Sequence, residues 1–254
     1  MTCTIAVAGK GGTGKTTLSS LIVRYLVEKG LTPNLVVDAD SNMNLNELLG
    51  LEITHTIGKM KESLGRERPS DVTKEAWVQY KTHEALAESE GFDLLAMGRP
   101  EGPGCYCLAN TLLVSFLENL MDHYRYLIID NEAGMEHISR LNLRKVNLLL
   151  IISDSSQRGI LTAGRIRDLI QELHISADRV CLIVNRVPDG LDPSIREKIE
   201  HLGLDLAGTV PVDDLIYRLE VEGRPTTVLS EDSAALQAVY GIMDEILPVD
   251  GNGK

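Results

Sequence analysis

Short unbroken apolar runs alternate with amphipathic stretches along almost the whole chain. Thr4–Ala8, Asn34–Val37, Phe92–Met97, Tyr126–Ile129, Asn147–Ile152, Val180–Val184 and Leu206–Val210 read as short buried strands. Between them, apolar positions recur at helical spacing. In Thr17–Lys29, Leu18, Leu21, Ile22, Tyr25 and Leu26 share one face, and Gly30 stops the helix. Leu108–Met121, Gly159–Leu173, Pro193–Leu202, Asp213–Glu222 and Asp232–Leu247 predict further helices. Apolar strands separated by helices need cover on both faces. The pattern therefore predicts an α/β fold, a doubly wound and mainly parallel sheet in a single domain over residues 1–254. The stretch from Thr56 to Glu90 is polar and rich in Lys and Glu, and it predicts a helical edge or lid. Asp250–Lys254 reads as a frayed tail.

Composition narrows the function classes. The 254 residues are 43% hydrophobic and 24% charged, which excludes a fully disordered chain. Lys and Arg number 25 against 37 Asp and Glu, a net charge of −12. That balance, with only 4% aromatic residues, argues against nucleic acid and anionic membrane surfaces as partners. The longest unbroken apolar run, Leu148 to Ile152, falls far short of the ~20 residues that span a bilayer. The N-terminal stretch lacks the basic start and small-residue cleavage site of a signal peptide. The four cysteines, Cys3, Cys105, Cys107 and Cys181, are too sparse for a disulfide scaffold. A cytoplasmic location, with thiols free for metal or chemistry, is expected.

Gly9-Lys10-Gly11-Gly12-Thr13-Gly14-Lys15-Thr16 follows the first strand and opens the first helix, the context that a phosphate-binding loop requires. Glycines let backbone N–H groups curl around phosphate oxygens, and the helix N-terminus adds its positive end. Lys15 is expected to reach the β/γ phosphates and the Thr16 hydroxyl to ligate Mg²⁺, with Thr17 completing the loop set. Asp38 and Asp40 close the second strand, and Asp130 closes the apolar run Tyr126–Ile129 at a Walker B position. Carboxylates at strand C-termini can hold Mg²⁺ or orient water. Asn185-Arg186 ends a later strand, and an Asn amide offers the donor and acceptor that suit an adenine edge. No Asn-Lys-x-Asp guanine motif is present, because positions 186 and 188 are Arg and Pro, so ATP is expected rather than GTP.

The loop Gly98-Arg99-Pro100-Glu101-Gly102-Pro103-Gly104-Cys105-Tyr106-Cys107 carries a Cys-x-Cys pair. Two thiolates can face one metal ion, but thiolate sites usually want four ligands. A two-fold dimer would supply two from each subunit. Cys3 and Cys181 fall in predicted strands and read as small buried hydrophobes.

Lys10, a second lysine inside the phosphate loop, gives the sequence Lys-Gly-Gly-Thr-Gly-Lys-Thr. It resembles the deviant loop of the family that includes the nitrogenase iron protein, MinD and ParA. The resemblance implies a homodimer in which Lys10 contacts the partner subunit's nucleotide. It further implies that Asp40 positions the attacking water and that Gly134 offers the γ-phosphate a backbone N–H. By the same likeness Asn185, Arg186, Pro211, Val212 and Asp213 form the adenine pocket. The cysteine loop, with Asn110 three residues on and Asp130-Asn131-Glu132-Ala133-Gly134-Met135-Glu136-His137 further along, is similar to the CooC and AcsF type of carbon monoxide dehydrogenase and acetyl-CoA synthase maturation factors. That narrower resemblance implies Mg²⁺-dependent hydrolysis of ATP to ADP. It implies Ni²⁺ held by Cys105 and Cys107 across a dimer axis, with Zn²⁺ able to take its place, and delivery to the apo-enzyme. An iron–sulfur carrier or ATP-dependent reductase, and a MinD- or ParA-like positioning ATPase, are the alternative readings.

Overall fold

The structure is a computed structural model and describes residues 2–60, 69, 71–99, 106–132 and 145–247. The strands are β1 (Cys3–Gly9), β2 (Asn34–Asp38), β3 (Leu86–Glu88), β4 (Phe92–Ala96), β5 (Tyr126–Asp130), β6 (Lys145–Asp154), β7 (Ser176–Val187) and β8 (Leu206–Pro211). They form one sheet in the order β3-β4-β2-β5-β1-β6-β7-β8. Every pairing is parallel except the short edge strand β3, which runs antiparallel to β4. The predicted α/β class, doubly wound and mainly parallel, is the observed one.

The helices are α1 (Lys15–Glu28), α2 (Leu45–Leu49), α3 (Lys74–Ala85), α4 (Tyr106–Leu120), α5 (Gln157–Glu172), α6 (Pro193–His201), α7 (Asp214–Glu222) and α8 (Ala234–Ile246). Strand alternation sorts them to the two faces of the sheet. Ile5 and Val7 of β1 pack with Leu18, Leu21 and Leu26 of α1 and with Val239 and Met243 of α8. Ala6 and Ala8 point the other way, against Ile160 and Ala163 of α5. Leu35 and Val37 of β2 meet Leu113 and Phe116 of α4 on that second face. Because both faces are covered, the strands carry no polar alternation, which is why the unbroken apolar runs located them.

Two elements escaped the pattern. The five residues of α2 are too few to show a helical period, and β3 has only Leu86-Ala87-Glu88. The stretch expected to form an edge or lid holds α3 and the edge strand β3, while residues 61–68 lie outside the described set. The tail Asp250–Lys254 also lies outside it. The predicted helix Leu108–Met121 begins at Tyr106, so Cys107 belongs to the first turn of α4 rather than to a loop.

β1 occupies the middle of the sheet, between β5 and β6, with Val7 level with Asp130 and Gly9 level with Ile152. The strands fan away from β1 in both directions, so its C-terminal end lies at a topological switch point. Ligands bind at such crevices in open α/β sheets. Beyond the strand ends, further hydrogen bonds tie the rim together. Ala39 N–H donates to the Asp130 carbonyl at 2.9 Å, Met97 N–H to the Asp38 carbonyl at 2.8 Å, and Asn131 N–H to the Val7 carbonyl at 3.2 Å.

Candidate functional site

The site grows from the turn between β1 and α1. A side chain at Gly9 would bring a Cβ to 2.3 Å from the Ile152 carbonyl oxygen, so only glycine lets the ends of β1 and β6 lie this close. Gly14 sits at φ +88° at the start of α1, where a Cβ would meet the Asn185 amide nitrogen at 2.4 Å. The Thr13 hydroxyl donates to the Lys10 carbonyl at 2.9 Å and the Lys15 ammonium to the same oxygen at 3.3 Å. Lys10, Gly11 and Gly12 are exposed. No side chain caps the N-terminus of α1 and no acid stands in its first turn. Its free N–H groups and positive dipole end therefore face the loop, an arrangement made for an anion.

Lys15 is only 8% exposed. Burial pulls its pKa below the ordinary lysine value, and the charges of Asp130, Asp40 and Glu132 work against that pull. Asp130 is buried at the end of β5, and its carboxylate accepts from the Ser19 hydroxyl at 3.0 Å. Burial pushes its carboxyl up to about 7, helped by the nearby charge of Asp38. Hydrogen bonds from Thr16 and Ser19 and the charge of Lys15 oppose the shift. Thr16 and Asp130 thus form a pair of hard oxygen donors beside the anion cradle, a set that fits Mg²⁺. Ser19 is a contributor the sequence reading missed; it lies one helical turn beyond Thr16 in α1, and that spacing was its only signal.

The two acids after β2 divide their work. Asp38 is buried, and its carboxylate accepts the N–H groups of Asp40 at 3.0 Å and of Asn44 and Leu45 at 3.1 Å each. Burial pushes its carboxyl up in spite of those donors. Its oxygens shape the turn into α2 and position the 40–44 segment. Asp40 is half-buried, takes the Asn42 N–H at 2.8 Å, and lies near enough to influence Lys15.

A cleft of about 280 Å³ opens beside the loop, lined by Thr17, Asn185, Arg186, Pro211, Val212 and Asp213, among others. The residues expected to surround adenine are thus brought together. Their roles within the cleft differ from one another. The Asn185 side-chain nitrogen donates to the Thr13 carbonyl at 2.8 Å, and Arg186 donates to the Gly12 carbonyl at 3.2 Å. Both residues therefore clasp the phosphate loop. Asp213 caps α7 through the Leu215 N–H at 2.8 Å and also accepts the Ser233 hydroxyl at 2.6 Å and the Ala235 N–H at 3.0 Å. Its carboxylate is committed to two helix starts. Tyr217 and Glu220 of α7 line the same cleft and had no sequence signal beyond their helical position.

Cys105 and Gly134 lie outside the described residues, as does His137. Cys107 is placed by its backbone in the first turn of α4. Cys3 is partly buried at the start of β1. Cys181 is buried in β7 beside Asp205, and burial pushes its thiol up to about 12, which suits an inert core position. Among the described residues no group of three or more His, Cys, Asp or Glu is gathered to hold a metal ion. None of their helices is long and apolar enough to cross a membrane.

Residues 4–226 match the family model of the CobQ/CobB/MinD/ParA nucleotide binding domain. An uncharacterized ATP-binding protein of Methanocaldococcus jannaschii is 38% identical over 96% of this chain and 98% of its own. The carbon monoxide dehydrogenase accessory protein CooC of Rhodospirillum rubrum is 30% identical over 97% of this chain and 98% of its own. Among solved structures, the septum site-determining protein MinD of Pyrococcus horikoshii, complexed with Mg-ADP, superposes with a TM-score of 0.74. It covers 99% of this chain and 98% of that one at 19% identity, a likeness of fold.

Proposed function

The chain belongs to the CobQ/CobB/MinD/ParA nucleotide-binding family and is an ATP-binding P-loop ATPase, and on that footing we propose that it works as a dimeric, Mg²⁺-dependent metallochaperone. Its cargo is a metal ion, nickel, bound by Cys105 and Cys107 of both subunits and delivered to a carbon monoxide dehydrogenase or acetyl-CoA synthase apo-enzyme in the cytoplasm. The observation that carries this reading is the 30% identity with the carbon monoxide dehydrogenase accessory protein, end to end, in a chain that bears the Cys-x-Cys pair. The architecture supports it: β4, which feeds the cysteine segment, is hydrogen-bonded past its end to Asp38 through Met97 N–H. β4 and β1 run parallel through β2 and β5, so residues 97–99 and the nucleotide loop continue from the same C-terminal edge of the sheet.

The chemistry follows from the groups on that edge. Loop N–H groups and Lys15 bind the phosphates, and giving up the Lys10 carbonyl frees the Lys15 ammonium for them. Thr16 and Asp130 would hold Mg²⁺, which neutralises charge on the transferring phosphoryl group. Asp40, half-buried and aligned by its own turn, orients the attacking water. Lys10, exposed at the loop tip, reaches the partner's nucleotide and stabilises the transition state. ATP thereby favours the closed dimer, and hydrolysis releases it and the cargo.

The test is anaerobic Ni²⁺ titration of apo-protein, with mass measured in the same experiment, beside a Cys105→Ser/Cys107→Ser variant. One Ni²⁺ per dimer, lost in the variant, is expected. Binding indifferent to both cysteines refutes the shared thiolate site. A brown chromophore on reconstitution with iron and sulfide would favour the cluster carrier instead.

A further inference from the structure

Tyr217 stands on α7 at the mouth of the cleft that Asn185, Arg186 and Pro211 also line. It is 65% exposed, a poor use of a large ring unless something covers it. Among the described residues its side chain makes no hydrogen bond, ion pair or ring contact, whereas Tyr25, Tyr124 and Tyr240 are each bound through the hydroxyl. Val212, on the same cleft, is 55% exposed. The cleft floor is apolar, with Leu18, Val210 and Ala235. A slot with an apolar floor, polar groups along its sides and a free aromatic ring at its mouth is shaped for a flat, partly apolar ligand. Asn185 and Arg186 of its lining are bonded to the Thr13 and Gly12 carbonyls, so the phosphate loop borders the slot, which orients that ligand as the base of a nucleotide.

We infer that Tyr217 is the base-stacking residue of this ATPase, its ring closing over the nucleobase and holding it against the Pro211–Val212 wall. The inference rests on the nucleotide reading of the cleft and adds the residue that supplies affinity for the base. Stacking is tolerant of base identity, because every base has a π-face. Tyr217 therefore contributes to affinity for ATP and GTP alike, and the choice between them falls to edge contacts such as those of the Asn185 amide oxygen. The helix it rides on is fixed at its start, since Asp213 caps α7 and ties it to Ser233 and Ala235.

The experiment is calorimetric titration of wild type, Tyr217→Ala and Tyr217→Phe with Mg-ATP, Mg-GTP and Mg-tripolyphosphate. The alanine variant is expected to lose affinity for both nucleotides about tenfold, with their ratio unchanged. Its affinity for tripolyphosphate should stay at the wild-type value, and phenylalanine should restore nucleotide affinity. Unchanged ATP affinity in the alanine variant overturns the stacking role, as does an equal loss for tripolyphosphate. Failure of wild type itself to bind ATP is a distinct result, and it overturns the nucleotide reading beneath.

Discussion

The side-chain amide of Asn185, at the end of β7, donates to the backbone carbonyl of Thr13 in the phosphate loop at 2.8 Å, joining positions 172 residues apart in sequence. The bond is buried, so neither group has water as a substitute. Asn185→Ala orphans the Thr13 carbonyl and unpins the loop. A loss of about 1–3 kcal/mol in urea denaturation is expected, with weaker ATP binding. Unchanged stability together with unchanged affinity would refute the clasp.

Gly14→Ala strikes the same contact from the other side. A Cβ there meets the Asn185 nitrogen at 2.4 Å, and the +88° φ adds strain. The variant is expected to lose most nucleotide binding. Combining it with Asn185→Ala should relieve the collision but not the strain, so a double-mutant cycle should show coupling between the two positions.

Asp130 sets a pH dependence. Its folded pKa, raised to about 7, lies above its unfolded value near 3.8, so the folded protein binds this proton more tightly. Its contribution to stability is full below about pH 4 and is lost as pH rises through 7. In nucleotide-free, metal-free protein, the urea midpoint of wild type relative to Asp130→Asn should fall between pH 5 and pH 8. A constant difference across that range would contradict the assignment.

Asp213 has the opposite sign. Burial alone would raise its pKa, but the N–H groups of Ala235, Leu215 and Ile216 and the Ser233 hydroxyl hold it below the ordinary value. Its contribution is therefore present above about pH 4 and disappears as pH falls through the lowered value. Asp213→Ala should cost about 1–2 kcal/mol at pH 7, a typical capping loss, and the gap from wild type should narrow in acid. Thermal denaturation at several pH values reads this directly.

Lys15→Ala should abolish ATP binding and, with it, any ATP-driven dimer seen by sedimentation. Lys10→Ala should leave ATP binding intact and slow hydrolysis on the order of a thousandfold, the range for a charge supplied in trans. Equal effects of the two variants on binding would remove the distinction drawn between the two lysines.

Much of this was legible in sequence for identifiable reasons. Strands buried on both faces advertise themselves as apolar runs, and the phosphate loop has a spacing that few other structures need. Asn185, Arg186 and Pro211–Asp213 were legible as one group, and they do line one cleft. Their division of labour was not, because it depends on which carbonyls and N–H groups come within reach. Nothing in Val-Val-Asp-Ala-Asp distinguishes Asp38, spent on backbone N–H groups, from Asp40, left half-exposed. Tyr217 and Ser19 were hidden for a related reason: each lies on a helix, and only the packing of that helix shows what its side chain faces.

The central place of β1 bears on the order of synthesis. β1 has no partner until Tyr126–Asp130 and then Lys145–Asp154 have been made, and its loop lacks the Asn185 clasp until β7 follows. A nascent chain halted before that point carries the phosphate-loop sequence without the loop's shape. Competence to bind nucleotide thus waits until the chain has been made through Asn185, and a product truncated before it cannot sequester ATP.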